Sequence, residues 1–123
     1  MYGDIEGFKH LVEKNKDEIG VVIMEVGRHQ KVNLDFLKEV RKISQTIGAV
    51  LIFDEVSSGF RVRTGGMHML YGINPDILVL GKALGNGYPI SCVIGTRDVM
   101  QAAQTTFISS TYWTERTGFV AAL

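Results

Sequence analysis

Four large apolar residues, Val50-Leu51-Ile52-Phe53, run directly into Asp54-Glu55. Further along, Ile77-Leu78-Val79-Leu80 stops at Gly81-Lys82 and a glycine-rich turn, Ala83-Leu84-Gly85-Asn86-Gly87. A short unbroken apolar run bounded by turn signals predicts a strand buried on both faces. Ligands of open α/β sheets bind just past the carboxyl ends of such strands. An acid and a lysine, each placed immediately after one of these strands, are therefore candidates for one shared site.

The residues between and around these runs supply the rest of an α/β layout. Val21-Val22-Ile23-Met24 is another apolar run, closing on Glu25. The polar segment from Gly27 to Lys31 then reads as a strand-to-helix loop. Asn33 is an N-cap for a helix running to about Thr46, with Val32 and Leu37 spaced as a hydrophobic staple. Its apolar stripe is Phe36 or Leu37, Val40, Ile43 and Ile47, and Gly48 stands where a left-handed C-cap residue is expected. Strand, amphipathic helix, strand is a βαβ unit with parallel strands and a right-handed crossover. Ahead of it, Asp4 can cap a helix carrying Ile5, Phe8, Leu11 and Val12 on one face. Beyond it, a loop rich in small residues leads to a short helix over Met67 to Tyr71, ended by Gly72. Pro75 sits in a turn before the 77–80 strand. Ile90 to Ile94 predicts a further strand, and Thr96 caps a helix to about Ala103. Gly118 to Leu123 reads as the start of another helix.

Composition narrows the function classes. The chain has 123 residues, enough for one modest domain. Lys and Arg total 13 against 13 Asp and Glu, so nothing in the charge invites a nucleic acid or a membrane surface. Cys92 is the single cysteine, which excludes an intrachain disulfide and points to a reducing compartment. No leader-like start and no run of membrane-span length is present, and a cytoplasmic soluble protein is expected. The apolar close from Phe119 to Leu123 has no C-cap, so the chain is expected to be the middle of a larger α/β domain.

Chemistry is concentrated at the two strand ends. Lys82, directly after four apolar residues and among glycines, is expected to have little water around it. A desolvated ε-amine is the nucleophile that attacks carbonyls and forms Schiff bases. Glycines at 81, 85 and 87 let a flat ligand or a phosphate approach the backbone. Asp54 can meet the other requirement of pyridoxal phosphate chemistry, a carboxylate that keeps the pyridine nitrogen protonated. Each has a plainer reading as well: Lys82 as a solvated loop lysine, Asp54 as a turn cap. Glu55 reads as structural or as a hydrogen-bond acceptor behind the site. His10, His29 and His68 show no metal-ligand spacing with one another or with Cys92, so no metal is expected. Apolar residues followed by Asp-Glu also match a Walker B strand. The phosphate loop that an ATPase-like module needs would put glycine at Asp76 and Ser or Thr at Ala83. A non-catalytic α/β unit is the remaining alternative.

LIFDEVSSGFR over 51–61, followed by NPDILVLGKALGNGYPISCVIG over 74–95, resembles the cofactor-binding region of class III pyridoxal-phosphate aminotransferases. The glutamate-1-semialdehyde aminomutase-like branch is the one it is most similar to. The resemblance implies residues 1–123 as part of the large, pyridoxal 5'-phosphate-binding domain of an aspartate-aminotransferase-like (fold type I) enzyme. That domain is α/β, a mainly parallel sheet with flanking helices. An upstream part and a C-terminal small domain are expected to lie outside these residues. The implied activity is transamination or 2,1-aminomutase chemistry on small amino and keto substrates. By the same resemblance Lys82 bonds covalently to the cofactor and moves protons, Asp54 pairs with the pyridine nitrogen, and Val56 packs on one face of the ring. Thr111 matches a threonine that binds the cofactor phosphate of the neighbouring subunit, which implies a homodimer. Two departures from the family pattern stand out. Val26 replaces a proline after Glu25, and Trp113-Thr114-Glu115-Arg116 stands where a Gly-Asn-Pro element is usual.

Overall fold

The capping and periodicity signals produce the elements they predict. In the computed structural model, which describes residues 2–27 and 31–123, helix α1 spans Ile5–Asn15 and the Asp4 carboxylate accepts the Gly7 N–H at 2.9 Å. Helix α2 spans Leu34–Thr46, and Asn33 Oδ1 accepts from the Phe36 N–H at 3.0 Å, satisfying one of the donors a helix start leaves open. Gly48, at φ 72°, turns the chain out of α2 and directly into the next strand. Strands β1 (Val21–Glu25), β2 (Val50–Asp54), β3 (Ile77–Leu80) and β4 (Cys92–Gly95) follow one another across a single sheet. β1, β2 and β3 are parallel, and β4 runs antiparallel to β3. Between β2 and β3 lies α3 (His68–Tyr71), and after β4 come α4 (Arg97–Met100) and α5 (Thr117–Ala122). The helix expected to run on from Thr96 to about Ala103 tightens into a 3-10 turn at Gln101–Gln104. Residues 28–30, which hold His29 and most of the expected Gly27–Lys31 loop, lie outside the described residues. Among the described residues no helix is long and apolar enough to cross a membrane.

The sheet is covered differently from what its apolar runs predict. Burial alternates along β2 and β3, with Leu51, Phe53, Leu78 and Leu80 inside and their neighbours half-buried. Phe36, Leu37 and Val40 of α2 join these four in one cluster, and Ile5 and Phe8 of α1 pack against it. Both long helices thus lie on one face. On the other face Val21, Ile23 and Val93 keep 53%, 63% and 54% of their surface exposed. The expectation of strands buried on both faces is corrected accordingly, because the described helices cover one side only. α2 also buries its stripe in an unexpected way. Phe36 and Leu37 both go inside, and the fourth buried position falls to Ser44, whose hydroxyl donates to the Val40 carbonyl at 2.8 Å. β4 starts two residues later than the apolar run suggests, and Cys92, at its first position, is half-buried.

One polar clamp ties the helix to the sheet. Asp76, just before β3, accepts both guanidinium bonds of Arg41 from α2, at 2.6 and 2.8 Å. The same carboxylate accepts the Leu51 N–H at 2.8 Å, and the Asp76 N–H donates to the Leu51 carbonyl at 2.8 Å. The Arg41 hydrogen bonds hold the Asp76 carboxyl below its ordinary pKa against the cost of burial, with the Leu51 N–H and the Arg41 charge adding smaller lowering effects.

Two predictions follow from this one-sided packing and its clamp. Leu51→Ala should lower the free energy of unfolding by about 2–5 kcal/mol, whereas Ile23→Thr, which keeps a β-branched side chain on the open face, should change it by no more than about 0.5 kcal/mol. Urea unfolding of both variants checks this, and an equal loss at Ile23 would mean that the second face is covered in solution. A lowered pKa for Asp76 means that its contribution is fully present above the unfolded carboxylate value, about 3.9, and is lost as pH falls through the folded value. Stability measured from pH 6 downward should therefore drop at acid pH, and Asp76→Asn should lack that part of the drop.

Candidate active site

Parallel pairing brings the carboxyl ends of β1, β2 and β3 to one edge. Glu25 is opposite Asp54, and Asp54 is opposite Val79, one residue before β3 ends. Asp54 is in register with Ile23 and Ile52 by strand periodicity, so it stands on the less covered face. Its Oδ1 accepts the Val56 N–H at 2.9 Å, an Asx turn that fixes the carboxylate. The second oxygen has no hydrogen-bond partner among the described residues. Both readings of Asp54 are thus compatible: one oxygen caps the turn while the other remains available.

Lys82 opens a 3-10 turn, Lys82–Leu84, directly after β3 and Gly81. Its backbone is left-handed, at φ 44°, a conformation non-glycine residues adopt at a cost. Bonds from Gly85 N–H and Asn86 N–H to the Lys82 carbonyl, at 3.2 and 2.9 Å, hold it there. The side chain is exposed, and the expectation of little water around it is corrected: the described elements leave this edge of the sheet open. Its Nζ donates to Ser57 Oγ at 2.7 Å. Val56, between Asp54 and Ser57, lies against β3's end, with Cγ1 3.4 Å from where a Cβ on Gly81 would stand. The structure therefore brings Asp54, Val56 and Lys82 to one edge. Thr111 is exposed in the turn over 111–114, and no hydrogen bond among the described residues joins it to any of the three.

Behind the edge lies a buried carboxylate. Glu55 is wholly inaccessible, and its N–H donates to the Val79 carbonyl at 2.9 Å, extending the β2–β3 pairing by one residue. Glu55 Oε2 accepts from Ser58 Oγ at 2.9 Å and from the Met67 N–H at 2.5 Å. Oε1 accepts from the His68 N–H at 2.8 Å and meets His68 Nδ1 at 2.6 Å. Nδ1 donates in that pair in the tautomer that carries its proton there. These contacts leave no room for side chains nearby. A Cβ on Gly66 would come within 2.7 Å of His68 Nδ1 and 3.0 Å of Glu55 Oε1, and one on Gly59 within 2.8 Å of the Glu55 carbonyl. Glu55 was legible as an acceptor behind the site, but its partner His68 and the hydroxyl of Ser57 were not. The glycines at 59 and 66 are the signal that could have marked a tightly closed loop.

The pattern of the family described as aminotransferase class-III matches residues 4–122. The chain is 36% identical to the 3-aminobutyryl-CoA aminotransferase of Cloacimonas acidaminovorans, an alignment covering 99% of this chain and 31% of that enzyme. It is 41% identical to the glutamate-1-semialdehyde 2,1-aminomutase of Methanococcoides burtonii over 81% of this chain and 25% of the relative. Among solved structures, the FumI protein of Sphingopyxis sp. MTA144, described in its PLP internal aldimine form, superposes with a TM-score of 0.91 at 30% identity. That match covers 97% of this chain and 30% of that one. The chain thus spans about a quarter to a third of the length of these relatives.

The buried carboxylate yields a stability prediction. Glu55→Ala leaves two backbone N–H groups and the His68 ring without an acceptor, and should cost about 3–5 kcal/mol. Glu55→Gln, which keeps one acceptor oxygen but turns an amide N–H toward donors, should lose less. Chemical unfolding followed by circular dichroism measures both, and a loss under about 1 kcal/mol for Glu55→Ala would mean that water replaces the carboxylate.

Proposed function

Because the chain belongs to the aminotransferase class-III family, we propose that the protein it forms carries out pyridoxal-phosphate-dependent chemistry at the β2–β3 edge. The reaction is amino-group transfer between small amino and keto substrates, or the related 2,1-aminomutase rearrangement. One observation carries the reading: a primary amine and a carboxylate oxygen with no hydrogen-bond partner among the described residues stand at adjacent parallel strand ends. That donor set fits pyridoxal phosphate, which requires an amine for its aldehyde and an anion for its ring nitrogen. The glycine-rich turn over 81–87 leaves backbone free of side-chain bulk beside them. When bound, the cofactor supplies an electron sink for the substrate carbon that loses or gains a proton.

This chain's residues have separate tasks in that scheme. Asp54 holds a negative charge at the ring nitrogen, and its Asx turn keeps the carboxylate from rotating away. Val56 provides an apolar surface for one face of the ring. Lys82 would hold the cofactor through its amine and would act as the base and acid that moves a proton between substrate and cofactor carbons. Thr111, which bonds to none of these groups within one chain, is assigned to the cofactor phosphate of a second subunit, which makes the active protein a homodimer with shared sites. We place that protein in the cytoplasm, in keeping with its single cysteine. Residues 1–123 would then be the part of its large domain that bears the lysine and the aspartate.

Incubation with pyridoxal phosphate, reduction with borohydride and peptide mass spectrometry tests the assignment. Cofactor mass should appear on the peptide containing Lys82, and Lys82→Ala should abolish both the label and the visible absorption of the bound cofactor. Label confined to any other lysine would falsify the role given to Lys82.

A further inference from the structure

Lys82 reaches across from the end of β3 to a residue that belongs to the end of β2. Its Nζ lies 2.7 Å from Ser57 Oγ, the side-chain hydrogen bond of an otherwise exposed lysine. An exposed lysine loses rotamer entropy when it is ordered, so a single bond orders it only if the partner is itself fixed. Ser57 meets that condition. On one side of it, the Val56 N–H is bound to Asp54 Oδ1 at 2.9 Å. On the other, Ser58 Oγ donates to the buried Glu55 carboxylate at 2.9 Å, and the Gly59 N–H donates to the Glu55 carbonyl at 2.8 Å. Ser57 is thus held between two anchored neighbours, half-buried, in a turn tied back to Asp54 and Glu55.

We propose that Ser57 is a positioning residue for Lys82, its hydroxyl holding the ε-amine at the end of β2 that bears Asp54. The proposal rests on the pyridoxal phosphate reading for its purpose, though the contact does not depend on it. A serine hydroxyl accepts through its lone pairs while keeping its own proton to donate elsewhere, so it can hold an ammonium without neutralising it. A carboxylate in the same place would bind the amine more strongly and compete with its bond to a carbonyl carbon. Ser57 therefore confines Lys82 to the side of the edge that bears Asp54; once the ammonium has given its proton to water, the free amine can condense with an aldehyde, the carbonyl oxygen leaving as water.

The test uses Ser57→Ala and Ser57→Thr, the second keeping the hydroxyl, with melting curves to establish equal folding. In cofactor-free protein labelled with 13C-lysine, the Lys82 ε-methylene should show restricted motion compared with the exposed Lys16. That restriction should vanish in Ser57→Ala and persist in Ser57→Thr. On addition of pyridoxal phosphate, the rate of covalent capture at Lys82 should fall about tenfold in Ser57→Ala, as expected for one lost hydrogen bond to a charged group, and recover in Ser57→Thr. Unchanged ε-methylene motion in Ser57→Ala overturns the positioning role, as does capture at the wild-type rate. Restricted motion that Ser57→Ala releases, with no capture at Lys82 even in the wild type, upholds the Ser57 contact and overturns the pyridoxal phosphate reading instead.

Discussion

A carboxylate with no contact with water must find all its hydrogen bonds inside the protein, and Glu55 finds four. An unmet donor or acceptor there would cost more than a typical hydrogen bond gains, so the arrangement is close to all-or-none. Its consequences reach well beyond one residue. Met67 and His68 must come back to the strand end they left twelve residues earlier, which closes the loop between β2 and α3. Gly59 and Gly66 are required where the closed loop presses on itself. Asp54 and Ser57 flank this anchor, so the groups at the candidate site inherit their positions from a side chain that never meets a ligand.

The second constraint is the uneven cover of the sheet. α1 and α2 bury Leu51, Phe53, Leu78 and Leu80, and the Arg41–Asp76 clamp fixes α2 over the β2–β3 pair. Asp54 points to the other face by the alternation of β2, where neighbouring side chains remain half exposed. A carboxylate, a lysine and a glycine turn are gathered at one corner of this open face, the corner proposed above to take the cofactor. The surrounding walls of that corner, in a protein of this family, are proposed to include a second subunit.

Much of the backbone was legible from local signals. The caps at Asp4 and Asn33, the left-handed exit at Gly48 and the helix-ending Gly72 rest on interactions within a few residues, and the sequence displays those directly. The apolar run at 77–80 became a strand with the expected bounds, and that at 50–53 became one that extends a residue further, through Asp54. Less legible was which side of each strand would be covered, because an unbroken apolar run carries no alternation to read. Ser44 in the core of α2 escaped for a related reason: its fitness for burial depends on a bond to Val40 that composition does not reveal.

At the site, the sequence by itself determined that an aspartate and a lysine would follow two buried-type strands. It also determined that glycines would surround the lysine, and motif order carried the family. Tertiary structure decided what each group can touch. Strand pairing put Asp54 beside Val79, and the closed loop put Ser57 within reach of Lys82 from 25 residues away. It likewise decided that Lys82 is exposed rather than dry, and that His68 serves Glu55. Local signals specify backbone turns because their partners lie within a few residues. Contacts between groups distant in sequence depend on register and packing, and only the folded chain fixes those.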